Sequence, residues 1–274
     1  MVNRILQIVP GLAAVLLLLP CCSVKEAREG CPVYVTVLTD RFIQSGFSDG
    51  VVSFHAADPI DREKINFLSY IGKGFRQPCP RDYARAAVLS GLENERIDAT
   101  TLYVPYGKQA GLIWSYGETF SVQADEYCIE AVPHKQYCLV KFLFGDSPQA
   151  PSDYPWRFRI KAACNGMDIY TMEPHEGDYC CPVGPNAVGE WYGVIPRQKR
   201  NDMLLEVFEP VAGSETEGET VYVVDLGERF GEKGYDWSSP DLADMTVKVG
   251  FTAAGIFVEV LDWKGDDSYR SIEI

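Results

Sequence analysis

The chain is poor in histidine and in positive charge, and it has a single extended apolar run. Its three histidines, His55, His134 and His175, form no His-x-His or His-x-x-x-His pair, so they lack metal-ligand spacing and read as surface or satisfied side chains. Lysine and arginine total 25 against 39 acidic residues, a net charge of −14 over 274 residues. Such a surface repels phosphate backbones, which excludes nucleic acid as a partner. No Gly-x-Ser-x-Gly elbow occurs, and Gly227, Gly231 and Gly234 are misspaced for a dinucleotide or phosphate loop, so they read as turn glycines. Two aspartate groups, Asp236/Asp241/Asp244 and Asp262/Asp266/Asp267, lack calcium-loop spacing and read as solvated acidic turns. Arg197-Gln198-Lys199-Arg200, the one dense basic run, reads as an exposed loop. Nothing assembles a nucleophile, a base and an orienting group. The expectation is a non-enzyme with no cofactor and no metal.

The apolar run, Ile5 to Leu19, is interrupted by Pro10 and Gly11. A membrane-spanning helix needs about 20 apolar residues, so this segment fits a secretory signal better. It ends in Leu19-Pro20-Cys21-Cys22-Ser23, which resembles the bacterial lipobox, where a cysteine becomes residue one and is lipidated. Cleavage before Cys21 would put Pro20 at −1, where its ring restricts the backbone. Cleavage before Cys22 puts Leu19 at −3 and Cys21 at −1. Cys22 is the favoured site for N-acyl and S-diacylglycerol groups, with Cys21 as the other register. More than one acyl chain anchors a protein stably, so residues 1–21 read as a lipoprotein signal peptide and 22–30 as a polar tether. Lys25-Glu26 loosely resembles the acidic export signal that sends lipoproteins to the cell surface.

What the chain does have is aromatics, at 12 %, with 15 tyrosines, and many glycines and prolines. These favour strands and turns. Cys31 to Leu38 alternates, as do the runs at Val51–His55, Thr100–Val104, Leu112–Tyr116, Tyr127–Val132 and Tyr137–Phe144. Residues 58–80 read as loop with room for a helical turn, and Tyr83–Leu92 fits helix or strand equally. The stretch "GDSPQAPSDYPW" is the best linker. Further strands follow at Arg157–Ala163, Trp191–Ile195, Met203–Phe208 and Thr220–Val224. A hairpin closes the series: Val247, Val249 and Phe251 alternate, Thr252–Gly255 turns the chain, and Ile256, Val258 and Val260 alternate again with Glu259 outside. Long helical periodicity is absent. The expectation is an all-β fold: two tandem sandwiches, 31–150 and 151–274, after a lipoprotein signal peptide. Seven cysteines remain beyond Cys22, an odd number expected to be mostly buried thiols with one or two bridges.

Several motifs together resemble one family, the FimB-type fimbrillin-associated anchor and minor subunit proteins of type V pili. They are the lipobox at Cys22 followed by Cys31-Pro32, "TLYVPYGK" at Thr101–Lys108 and "HKQYCLVKFLF" at His134–Phe144, which looks like the closing strand of the first sandwich. The most telling are "YDWSSPDLADMTVKVGF" at Tyr235–Phe251 and "FVEVLDW" at Phe257–Trp263. The resemblance implies two transthyretin-like, Greek-key sandwiches, a lipid anchor (palmitate included) in the cell outer membrane, and a role in fimbria-based cell adhesion. Its implied partners are fimbrial shaft or minor subunits, engaged by β-strand addition. Tyr269–Ile274 could be a donated strand or the last edge strand of its own domain, the second being favoured. A rival reading is a surface lipoprotein that binds glycans through Trp156, Trp191, Trp237 and Trp263. A lipid-anchored hydrolase is a third.

Overall fold

The computed structural model describes residues 31–261, apart from 57–59, 82, 122–123, 146, 148–149, 151–155, 212–216 and 253–254. The fold is all-β, with two short α-helices and one 3₁₀ turn among the described residues.

The first core lies between two sheets. β1 (Val33–Leu38) is the middle strand of the smaller one, flanked by β4 (Phe75–Cys79) and β9 (Glu126–Glu130). The larger has the order β10-β8-β5-β2-β3, from β2 (Asp49–His55), β3 (Asp61–Asn66), β5 (Tyr83–Ser90), β8 (Trp114–Ser121) and β10 (His134–Lys135). Alternation puts Val33, Val35 and Val37 of β1 fully inside, against Val52, Phe54, Ala84, Val88 and Ile129. Helix α1 (Asp40–Gln44) caps this core with Phe42, whose ring packs tilted against Phe67 of the 3₁₀ turn Phe67–Tyr70, centroids 5.4 Å apart.

Two expectations change here. The described residues of 58–80 are not mainly loop: they hold β3 and β4, with the expected helical turn between them as the 3₁₀ turn Phe67–Tyr70. Both are edge strands, and their sequences carry edge defences rather than alternation. β3 begins with four exposed charged residues, Asp61 to Lys64, and β4 contains Pro78. The run Tyr83–Leu92 resolves as strand over Tyr83–Ser90. It looked ambiguous because the sheet is covered on both faces: Ala84, Ala86 and Val88 enter the first core, while Ala87 and Leu89 enter a second cluster with Leu102, Ile113, Met167 and Tyr170.

That second cluster joins the two halves. The hairpin of β6 (Arg96–Asp98) and β7 (Thr101–Tyr103) pairs with β12 (Arg157–Asp168) of the later part of the chain. The following loop continues the bracket: Val104 N–H donates to Asn165 O, and Gly107 N–H to Cys180 O. "TLYVPYGK" therefore lies on the second half, although it belongs to the first by sequence.

The largest core is enclosed by a sheet that bends around it. Its order is β16-β15-β12-β13-β14-β11-β17-β18. The strands are β11 (Tyr137–Phe144), β13 (Pro174–Pro185), β14 (Trp191–Pro196), β15 (Met203–Pro210), β16 (Gly218–Asp225), β17 (Met245–Thr252) and β18 (Gly255–Val260). β13 makes the corner, pairing with β12 along most of its length and with β14 only at Gly184 and Pro185. Helix α2 (Leu226–Glu232) closes the core with Leu226 and Phe230, its first turn capped by the Asp225 carboxylate on Glu228 N–H.

The reading of Tyr137–Phe144 as the closing strand of the first sandwich is overturned. β11 pairs antiparallel with β14 and parallel with β17, because Val140 and Phe142 fill the large core beside Phe158 and Val247. The C-terminal hairpin has the expected register, from Val247↔Val260 to Thr252↔Gly255. No disulfide joins the seven described cysteines. Five are buried, and Cys31 and Cys128 are exposed.

The basic run at 197–200 is another correction. Arg197 and Gln198 are buried at 8 % and 2 % exposure. Arg197 donates to Trp237 O, Ser239 O and Pro240 O at 2.6–2.9 Å. Gln198 bridges Cys164 N and O and Pro196 O. A guanidinium carries five donors, enough to satisfy a carbonyl-rich loop without a carboxylate. Gly227 and Gly231 lie inside α2 rather than in turns; Gly234, with φ +73°, follows the helix.

Candidate subunit-docking edge

A protein built only of sheets has to protect its free strand edges, whose unpaired N–H and C=O groups invite another strand. The described edges differ sharply in protection. β3 is charged, β4 carries proline, and β10 is two residues long. β9 opens and closes on glutamates held by arginine: Arg76–Glu126 at 2.9 Å and Arg41–Glu130 at 2.8 Å. On β18 the exposed Phe257 ring lies over Gly250, where a Cβ would sit 2.0 Å from Phe257 Cε1.

β16 lacks these defences, and its one irregularity is a register shift at Val221, between the Val207↔Tyr222 and Phe208↔Thr220 pairs. Its sequence, Gly-Glu-Thr-Val-Tyr-Val-Val-Asp, contains no lysine, arginine or proline. Tyr222 and Val224 pack on the large core. Val221 and Val223 point outward at 40 % and 56 % exposure, near Leu204 of β15 at 38 %. One side of β16 pairs with β15 from Leu204↔Asp225 to Pro210↔Gly218. Among the described residues no strand pairs with its other side.

A charge network stiffens the sheet beside this edge. Glu206, opposite Val223 in register, is buried and accepts from Arg159 Nε at 2.5 Å and Lys161 Nζ at 2.8 Å. Arg159 also donates to Thr220 Oγ1 at 2.9 Å on β16 and lies 4.7 Å over the Phe208 ring. Burial disfavours the Glu206 carboxylate, but the hydrogen bonds and charges of Lys161 and Arg159 outweigh it and hold its pKa below the usual value. Exposed Glu217 and Glu219 at one end of β16 and Asp225 at the other leave an acidic border around an apolar strip.

The remaining sequence candidates fall elsewhere. Cys22, Trp263, Asp262, Asp266, Asp267 and Tyr269–Ile274 lie outside the described residues. Trp191 and Trp237 are core residues at 7 % and 5 % exposure, and Trp156 packs half-buried on the same core. These three described tryptophans form no exposed row, so none of them offers the sugar-stacking surface that the glycan reading called for. The aspartates at 236, 241 and 244 are structural: Asp236 caps Ser238, Asp241 accepts from Lys135 N–H, and Asp244 accepts from Leu139 N–H and Lys135 Nζ. His134 Nδ1 lies 3.5 Å from Asp241. A groove of about 150 Å³ lies between Leu112, Leu139, Tyr192 and Val194. Its rim holds the Lys141–Glu190 pair at 3.2 Å, and Glu93, whose pKa is raised by burial and by Glu95. It offers one half-buried aromatic, Tyr192.

The edge residues Val221 and Val223 were not singled out in the sequence. Their run reads as a strand, but alternation does not say which strand ends a sheet.

No protein-family model and no curated protein sequence matches the chain. Solved structures do. The fimbrial anchor protein Mfa2 from Porphyromonas gingivalis superposes with a TM-score of 0.57 at 9 % identity, over 84 % of this chain and 96 % of its own. The two chains share a fold. A candidate adhesin from Bacteroides ovatus matches at TM-score 0.57 and 9 % identity, over 86 % of this chain and 97 % of its own. A candidate polysaccharide-binding protein from Bacteroides thetaiotaomicron matches at 0.55 and 12 %, over 85 % and 96 %. At such identities the likeness is one of fold.

Proposed function

We propose that the chain is a fimbrial anchor or minor subunit, lipidated at Cys22, held in the cell outer membrane and exposed at the cell surface. Residues 1–21 are the signal peptide and 22–30 the tether. Two sandwich domains follow, with the changeover at Gln136, where β10 of one sheet gives way to β11 of the other, rather than at residue 150. The fold shared with a fimbrial anchor supports the general role. The observation that carries the reading is the undefended edge of β16, with outward Val221 and Val223.

Assembly is by strand addition: a fimbrial subunit lays an extended segment along β16, whose backbone supplies the ladder. The apolar strip selects alternate apolar side chains, and Glu217, Glu219 and Asp225 favour basic residues flanking them.

The test is co-expression with fimbrial subunits in a related host, comparing wild type, Cys22→Ala and Val223→Lys. Acylated Cys22 in the N-terminal peptide, release of the Cys22→Ala protein from membranes, and loss of subunit capture with Val223→Lys are expected. Capture that persists in Val223→Lys removes β16 as the docking edge. An N-terminal peptide unacylated at both Cys21 and Cys22, in a protein that leaves the membrane fraction, removes the anchor.

A further inference from the structure

We infer that the three-stranded sheet β4-β1-β9 is a mechanical shear clamp, which carries tension between the N-terminal tether and the second half of the protein. The inference rests on the reading that Cys22 holds the chain to a membrane, which makes residue 31 the point where load enters.

β1 is the first described strand, and it is gripped on both sides. Five of its residues are in register with β4, Val33↔Cys79 to Val37↔Phe75, and five with β9, Tyr34↔Glu126 to Leu38↔Glu130. Two further backbone bonds extend the β9 ladder beyond its ends: Tyr34 N–H to Asp125 O at 3.0 Å, and Ala131 N–H to Leu38 O at 3.1 Å.

The pairing with β9 is parallel, one of two parallel pairings among the described strands, the other being β11 with β17. Its consequence is geometric. β1 is loaded at its N-terminal end, through the tether. β9 leaves the sheet at its C-terminal end and runs through β10 directly into β11 of the second half. Two parallel strands pulled from opposite ends slide past one another, so every bond between them carries load at once. Strands pulled apart from the same end open one bond at a time.

The direction of load fits. The Leu38 end of β1 faces the second half. α1 connects it to Asp49, the start of β2. Register places that start beside the Leu89–Ser90 end of β5, and Ser90 opposite Trp114. Trp114 pairs with Lys135, next to the changeover at Gln136. Tension from residue 31 to the second half therefore runs along the β1 axis.

Side chains bind the same three strands across their length. Arg76 of β4 lies 4.2 Å over the Tyr34 ring of β1 and reaches Glu126 of β9 at 2.9 Å, strapping all three strands. Arg41, just after β1, holds Glu130 at the other end of β9 at 2.8 Å. Beneath, Val33, Val35 and Val37 are wholly buried. Sliding β1 by one residue would turn each of them to solvent.

Single-molecule force spectroscopy on the full chain, unlipidated and with a handle in place of the acylated cysteine, tests the clamp. One pulling geometry uses a second handle inserted at Val188, an exposed turn position between β13 and β14. The other places it at Pro80, just beyond the Val33↔Cys79 pair, so that tension peels β1 from its N-terminal end. A first rupture force at least twofold higher with the Val188 handle is expected, lowered by Arg76→Gln. Equal forces in the two geometries, or a lower force at Val188, would overturn the clamp. Neither result depends on a fimbrial partner: absent subunit capture removes the docking reading and leaves the clamp, and absent anisotropy does the reverse.

Discussion

Arg197 Nε donates to Gln136 Oε1 at 2.7 Å across 61 positions of sequence. The bond sits where the chain passes from one sheet to the other. Gln136 N–H reaches back to Ile113 O in the first half, and Gln136 O accepts from Arg197 N–H in the second. The same guanidinium organises the carbonyls of residues 237–240. Arg197→Met would keep the buried stem but strand these acceptors, and each unsatisfied buried group costs about 1–3 kcal/mol. The expected loss is about 3 kcal/mol or more, read as a shift of the urea midpoint. Arg197→Lys should recover less than half, since an ammonium cannot supply the planar fork.

Gly227 sits in the first turn of α2, where alanine would ordinarily gain about 1 kcal/mol of helix propensity. Packing reverses the sign. A Cβ at Gly227 would lie 1.9 Å from the backbone oxygen of Asn201, and a backbone atom cannot swing aside. Gly227→Ala should destabilise by about 1–3 kcal/mol, the range for overpacking. A thermal melt at or above the wild-type midpoint would show that α2 shifts freely.

Much of the strand content was legible in the sequence because alternation is a local property. Val33/Val35/Val37 and the β17–β18 hairpin are examples. The partners of each strand were not legible. Tyr137–Phe144 has the same pattern whichever sheet it joins, and its choice is set by the fit of Val140 and Phe142 to Phe158, 16 or more positions away in the chain. Arg197 and Gln198 looked solvated because charge and amide groups usually are, and only the carbonyl-rich loop at 237–240 makes their burial affordable. β3 was missed for the opposite reason: an edge strand that defends itself with charge erases its own signature. The docking edge was hidden likewise, since β16 differs from other strands by what does not pair with it.

The described cysteines should divide into two classes. Cys31 and Cys128 are exposed. Burial pushes the Cys138 and Cys181 thiols up to about 12 and Cys79 to about 11, so at pH 8 these remain protonated as well as enclosed, and the thiolate is the reactive form. With Cys21 and Cys22 removed, a thiol-disulfide reagent at pH 8 should titrate two groups rapidly in the native protein. The other five should react only on unfolding. Rapid reaction of a third thiol would place a gap in one of the cores.

Stability should fall on acidification through identifiable carboxylates. Asp168 is partly buried, which opposes ionisation. Hydrogen bonds from Thr171 N–H, the Thr100 side chain, Tyr170 N–H and the Thr171 hydroxyl outweigh that cost, and its pKa lies below the usual value. Glu206 is lowered in the same sense by Lys161 and Arg159. A carboxyl with a depressed folded pKa takes up its proton more readily in the unfolded chain. Its contribution is therefore complete above the unfolded value, about 4, and disappears as pH drops through the lower folded value. Asp168→Asn keeps an acceptor for the turn at 168–171 but removes the titration. The variant should be less stable than wild type at pH 7, and the gap should narrow as pH falls below about 4. A gap that stays constant from pH 7 to pH 3 would mean that the ionised Asp168 carboxylate contributes nothing to that turn.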